Sequence, residues 1–159
     1  MPLLETTTRI AAPPDVVAGV FFDFASFPQW NPLIRSLRAT TGSAEGRPTA
    51  GDVLEAQLAM GEHWEPLAAA PSVQRCDDRE FIWTGQIGHA LLLRTVHRYA
   101  WLPARDDKGA TQWVHTEHFG GLLGWLFLLL FRHTLRSTFE SMNDRLRARA
   151  EAKYAGIAS

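Results

Sequence analysis

The hydrophobic pattern is plainest in the last third of the chain. From Arg132 onward, Leu135, Phe139, Met142, Leu146 and Ala150 recur at spacings of four, three, four and four. That places them on one stripe of a helix with about 3.6 residues per turn. Arg136, Glu140, Asp144, Arg147 and Glu151 fall mostly on the other side. The pattern predicts a long amphipathic helix that needs a broad apolar surface beneath it. Directly before it, the chain from Leu122 to Phe131 is apolar throughout apart from Gly124.

Upstream the chain reads as strands. Residues 5–10 are Thr-rich and end on Ile10, a first strand. Pro13-Pro14-Asp15 opens a helix, because proline is tolerated in the first turn, where amide hydrogens lack partners. Val16, Val17, Val20, Phe21 and Phe24 follow helical spacing. Ser26 caps a second, shorter helix, and Gln29, three residues on, completes a capping box. Asn31-Pro32 ends it, since the residue before proline is pushed out of helical geometry.

Six more strands are expected at 34–41, 53–60, 63–76, 80–86, 92–102 and 111–119, with turn chemistry between them. The connection 41–52 is long enough to form a cavity rim. Pro66 and Pro71 predict an edge position, a bulge or a bend within 63–76. Short connections imply antiparallel pairing. The expected fold is α+β: a curved, seven-stranded antiparallel sheet, two short helices after the first strand, and the long C-terminal helix over one face. One helix cannot fill such a concavity, so a hydrophobic cavity is expected between them. Residues 1–159 are expected to form a single domain with a frayed end at 156–159.

Composition sharpens this in four places. Six Trp and nine Phe are many for 159 residues, and they serve either a bulky aromatic core or the lining of a ligand cavity. The net charge of −1 argues against general nucleic-acid binding. It is unevenly spread: residues 132–153 hold six Lys/Arg against three Asp/Glu, a basic helix on an acidic body, read most simply as a solvated face. The lone Cys76 excludes an intramolecular disulfide and a cysteine-based metal cluster, and is expected to be a buried thiol. The opening MPLLETTTRI has no basic segment followed by an apolar core, so a cytoplasmic location is expected.

Four stretches carry a resemblance. They are Ala12-Pro13-Pro14-Asp15-Val16-Val17; Asp23-Phe24-Ala25-Ser26-Phe27-Pro28-Gln29-Trp30-Asn31-Pro32; His115-Thr116-Glu117-His118-Phe119-Gly120-Gly121; and Phe139-Glu140-Ser141-Met142-Asn143-Asp144-Arg145-Leu146. In this order and spacing the chain resembles the helix-grip superfamily from about Glu5 to Tyr154. That superfamily includes steroidogenic acute regulatory (START) lipid-transfer domains, the major birch pollen allergen, and polyketide cyclases/dehydrases (the SRPBCC group). The second stretch is fairly specific for its bacterial members. The resemblance implies a cavity between sheet and helix for lipids, steroids, polyketides or other apolar molecules, with no cofactor and no invariant catalytic motif. Fold alone does not settle function.

Alternation along strands sorts candidate site residues by face. Trp113, His115, Glu117 and Phe119 share one face of the last strand, and Thr95, His97, Tyr99 and Trp101 one face of the strand before it. The aromatic sets are assigned inward. If the two strands pair through the 103–109 turn, His97, Tyr99, His115 and Glu117 form a polar group in an apolar concavity. Burying a polar group without a partner costs about 1–3 kcal/mol, so these groups must satisfy each other, hold water or meet a ligand. One reading makes His115 and Glu117 a general acid/base pair, as a cyclase or dehydratase requires. The other is a mutually satisfied polar pair that orients a ligand or anchors the last strand. His97, His115 and Glu117 have metal-ligand chemistry but no metal-specific spacing, and no metal is expected.

Trp30 sits where the short helices close one end of the expected cavity. Trp64 and Trp83 alternate toward the interior, as core or as pocket lining. Phe139 and Met142 lie on the buried helix stripe, where Met suits an adaptable wall. The run from Leu122 to Phe131, near Arg132, His133 and Arg136, has three readings: an apolar lid hinged at Gly120, Gly121 and Gly124; a transient membrane-surface contact; or a segment packed flat on the sheet end. At ten residues it is about half the roughly 20 a membrane-spanning helix needs. The leading expectation is a binding or carrier protein for a small hydrophobic molecule, followed by a polyketide cyclase/dehydratase-type enzyme and by a peripheral membrane carrier of a lipid or quinone.

Overall fold

A computed structural model describes residues 1–40 and 47–158. The first half of the rim expected over 41–52, residues 41–46, therefore lies outside the described residues. Among the described residues the order is β1 (Leu3–Ile10), α1 (Pro14–Phe21), a 3-10 turn (Phe24–Ser26), α2 (Phe27–Trp30), β2 (Ile34–Ala39), β3 (Leu54–Leu58), β4 (Leu67–Ala69), β5 (Ser72–Cys76), β6 (Glu80–Gln86), β7 (Arg94–Pro103), β8 (Thr111–Gly120) and α3 (Gly124–Ala158).

The strands form two antiparallel sheets rather than the single seven-stranded sheet expected. One has the order β1-β8-β7-β6-β5, the other β2-β3-β4. The expected strand over 63–76 breaks into β4 and β5. Pro71 lies at the break and has no N–H to continue a ladder. Its carbonyl accepts from Leu54 N at 2.8 Å and Val73 N donates to Asp52 O at 2.8 Å, so the sheets stay joined at this corner. The start of that expected strand is instead a turn, with Trp64 N donating to Gly61 O at 3.2 Å.

The expected capping box at Ser26 does not form, and α2 has no side-chain cap. Ser26 Oγ donates to Asp23 O and accepts from Trp30 Nε1. Cys76 is half-buried rather than buried, and burial first of all pushes its thiol up to about 11.

α3 lays its stripe onto β1, β8 and α1. Leu135, Phe139, Met142, Leu146 and Ala150 are at most 3% exposed. At roughly 25 cal/mol per Å² of apolar surface, five such side chains are a major source of stability. Polar ties fix the helix's position. Thr138 Oγ1 donates to Met60 O at 2.7 Å, Asn143 Nδ2 donates to Thr6 Oγ1 at 2.9 Å, and Glu151 accepts from Ala11 N at 2.8 Å.

α3 starts at Gly124, so residues 122–131 run straight into it instead of forming a separate lid. Gly121 makes the corner at φ +84°, and a Cβ there would stand 2.6 Å from Leu92 O. Only glycine fits both the backbone geometry and the space. Leu122 N and Leu123 N then donate to Leu91 O and Leu92 O, each at 2.9 Å. The glycines expected to hinge the run instead clamp it to the β6–β7 loop.

Candidate functional site

The concave face of the larger sheet follows from alternation. In β8, Trp113, His115, Glu117 and Phe119 are at most 5% exposed; in β7, Thr95, His97, Tyr99 and Trp101 are at most 7% exposed. Register sets His97 opposite Glu117, Tyr99 opposite His115, and Trp101 opposite Trp113. Trp83 of β6 stands opposite His97, and Thr6 of β1 opposite His115. Phe139 and Met142 of α3 close the other side, both fully buried.

The structure gives Glu117 a different partner from the His115 of the acid/base reading. His97 Nε2 lies 2.6 Å from Glu117 Oε1, with both side chains almost wholly buried. Strand geometry explains the choice. His97 faces Glu117 directly across the β7–β8 ladder, whereas His115 is two residues along the same strand. The Tyr99 hydroxyl stands 3.5 Å from His97 Nδ1, at the outer limit of a hydrogen bond. Burial and, secondarily, the Glu117 carboxylate push the Tyr99 phenol well above its ordinary value of 10.

His115 is wedged between rings. It stacks on Phe139 at 3.7 Å between centroids and 9° between planes, and lies 4.5 Å from Tyr99. Neither of its ring nitrogens has a hydrogen-bond partner. Burial, then repulsion from His97, holds its pKa well below 6.5, with Asn143 pulling weakly the other way. It is a neutral imidazole. The Asn143 amide is near but committed elsewhere: its Oδ1 accepts from Trp113 Nε1 at 2.9 Å while Nδ2 donates to Thr6. Asn143 is a site residue the sequence reading did not single out. The signal was there, since a polar residue next to Met142 on a buried stripe needs partners.

Trp83 Nε1 is the third buried polar atom of the cluster without a partner. The other expected site tryptophans differ. Trp101 Nε1 donates to Asp78 O at 2.7 Å. Trp30 is buried, donates to Ser26, and packs edge-on to Phe27. Trp64 is 43% exposed and touches Phe131, because its segment is a turn rather than a strand. It does not reach the interior.

Two open surface recesses lie away from this cluster. One, of about 460 Å³, is lined on the smaller sheet by Ser36, Arg38, Glu55 and Gln57 among others; another, of about 310 Å³, lies between β1 and α3 at Thr8, Arg136 and Asp144. The cavity expected between α3 and the sheet is neither of these. The concave face is filled by its own side chains, with the Phe139 ring directly on His115. No trio of His, Cys, Asp or Glu among the described residues is placed to hold a metal ion.

The arrangement has definite chemical capacity. His97 and Glu117 are close enough to exchange a proton. His115 offers a neutral nitrogen that accepts and an N–H that donates, and Trp83 offers a donor. All lie in an apolar, water-poor setting where such groups interact strongly.

Antiparallel strands gripping one long C-terminal helix, with a polar cluster buried between, define the START-like, helix-grip class. The chain belongs to the polyketide cyclase / dehydrase and lipid transport family, whose model matches residues 1–151. Solved structures agree on the fold. A START superfamily protein from Mycobacterium smegmatis is 17% identical, aligned over 94% of this chain and 97% of that one, with a TM-score of 0.68. A protein from Thermus thermophilus is 19% identical over 96% of this chain and 99% of that one, also at 0.68. The di-domain ARO/CYC protein StfQ from the steffimycin biosynthetic pathway is 13% identical at 0.68, covering 97% of this chain but 52% of that one. No curated protein matches the sequence.

Proposed function

We propose that this protein binds a small, largely apolar molecule carrying a hydroxyl or carbonyl group, of the lipid, steroid, quinone or polyketide type, between α3 and the concave face of the larger sheet. The carrying observation is the set of buried polar atoms without partners: both nitrogens of His115 and Nε1 of Trp83. Each costs about 1–3 kcal/mol if left unmade, and all three lie around the His97–Glu117 pair. A ligand oxygen that receives the indole N–H and meets the imidazole removes that cost. Phe139 is the side chain that must swing off His115 to admit it, beside the adaptable Met142. Membership of a family described by cyclase, dehydrase and lipid-transport members supports this ligand class.

The test is mass spectrometry of freshly purified protein, native and then denatured. An apolar mass released only on denaturation is expected, and Trp83→Phe with His115→Phe should lower its occupancy. An empty protein whose intrinsic fluorescence also ignores added fatty acid, sterol, quinone and a tricyclic aromatic polyketide would overturn the reading.

A second reading, an enzyme of the cyclase/dehydratase type, has one observation in its favour: the 2.6 Å His97–Glu117 contact. In that reading Glu117→Gln abolishes turnover of a polyketide-like substrate while leaving its binding intact. Under the carrier reading the same change weakens binding and there is no turnover to lose.

A further inference from the structure

The first turns of α3 present apolar side chains to solvent. Trp125, Leu126, Leu129 and Leu130 are 66%, 44%, 60% and 66% exposed, and Leu122 before them 82%. Leu91, on the β6–β7 loop, is 71% exposed. The backbone bonds from Leu122 and Leu123 to Leu91 and Leu92 fasten the two segments together. One apolar tip results, built from two segments and held in shape by Gly121. Isolated exposed leucines need no explanation, whereas a contiguous group of this kind does.

Charge changes abruptly behind the tip. Along the same exposed side of α3, Trp125, Leu126, Leu129 and Leu130 give way to Arg132, His133 and Arg136, and Arg94 follows the loop. Residues 87–95 and 120–139 contain no Asp or Glu. Of the acidic groups nearby, Glu140 lies 3.7 Å from Arg136, Glu62 is held by Arg145, and Glu65, next to Trp64, is exposed. From Trp125 to Arg132 the helix rises about 10 Å. That compares with the roughly 5–10 Å by which apolar groups sink into the interfacial zone of a bilayer.

We propose that this tip docks on an anionic lipid bilayer, with the leucines and Trp125 entering the acyl boundary and Arg94, Arg132 and Arg136 meeting lipid phosphates. Charge decides between this and a second copy of the chain. In a two-fold pairing the tip meets itself, so the arginine collars face the same two segments, 87–95 and 120–139, which carry no carboxylate. Lipid phosphates supply the missing counter-charge. The helix does not cross: no helix among the described residues is long and apolar enough to span a membrane.

The test is co-sedimentation of the full chain with vesicles of phosphatidylglycerol mixed with phosphatidylcholine, and with phosphatidylcholine alone. Binding is expected to the first, with a blue shift of emission that Trp125→Phe removes. The doubly substituted Leu126→Ser/Leu130→Ser protein should lose at least about tenfold in affinity, and Arg132→Gln about fivefold, an effect that added salt erases. Equal melting temperatures would show that these variants are folded. Failure to bind either vesicle overturns the proposal. So does light scattering that shows a dimer sealed through the tip and indifferent to lipid. Ligand release in the mass-spectrometric experiment is independent of both outcomes.

Discussion

The two halves of α3 treat the same residue types in opposite ways. From Leu135 to Ala150 the large apolar residues fall on one stripe and are at most 3% exposed, with charges mostly outside. From Gly124 to Phe131 the helix is apolar all round, and only Leu128 among its large side chains is buried. The first half-pattern stabilises the fold. The second packs Phe127, Leu128 and Phe131 against the core and leaves Trp125, Leu126, Leu129 and Leu130 facing outward. Hydrophobicity along a helix therefore does not measure its attachment to the core; the pattern does.

Substitution should separate the halves sharply. Phe139→Ala removes a fully buried ring stacked on His115 and should cost about 3–5 kcal/mol in urea unfolding. Leu129→Ala, an equally apolar change on the same helix, should stay within about 0.5 kcal/mol. Similar losses for the two would mean that the tip is part of the core.

Asn143→Ala tests how the buried half is held. It strands Trp113 Nε1 and frees Thr6, so a loss of about 1–3 kcal/mol is expected. Asn143→Asp keeps acceptance from Trp113 but buries a carboxyl group, so its loss should be at least as large at neutral pH and shrink as the carboxyl is protonated at lower pH.

The smallest effect concerns pH. His115 is neutral in the folded chain because its pKa lies well below 6.5, while in the unfolded chain it takes up a proton near its ordinary value. Below that value the unfolded state binds more protons, so stability falls as pH falls, by at most about 1.4 kcal/mol per pH unit from this group. Unfolding measured between about pH 7 and about pH 5.5 should show this slope, and His115→Phe should flatten it. An unchanged slope would mean that His115 is charged or reached by solvent.

How far these features were legible depended on the range of the interaction behind them. The stripe from Leu135 to Ala150 and the inward sets of β7 and β8 are local periodicities, so the sequence carried them directly. The partner of Glu117 depended on how β7 and β8 meet across a turn in which Ala104 N donates to Ala110 O at 2.9 Å, and alternation alone does not choose between His97 and His115. The division into two sheets hung on the missing N–H of Pro71, visible as a weak point but not as a boundary. Trp64 belongs to a short run near Gly61 and Pro66 whose residue types alternate like a strand but whose backbone turns. The start of α3 was hidden for the opposite reason: an all-apolar run has no period to read. The filling of the expected cavity by Phe139 and its neighbours is a matter of rotamers and volume, which no pattern of residue types records.

α3 runs for 35 residues from Gly124 to Ala158 and contains no proline after its start. A continuous helix of that kind behaves as a stiff rod rather than a chain of separate contacts. Its side-chain hydrogen bonds to the body begin at Thr138, next to Phe139, and Trp125 lies about 21 Å further along the axis. Mechanically, the stretch between them is a beam held near both ends, by the backbone bonds of Leu122 and Leu123 to the β6–β7 loop and by the ties beside the ring that covers His115. A load on the apolar end is therefore shared between that clamp and the contacts around Phe139.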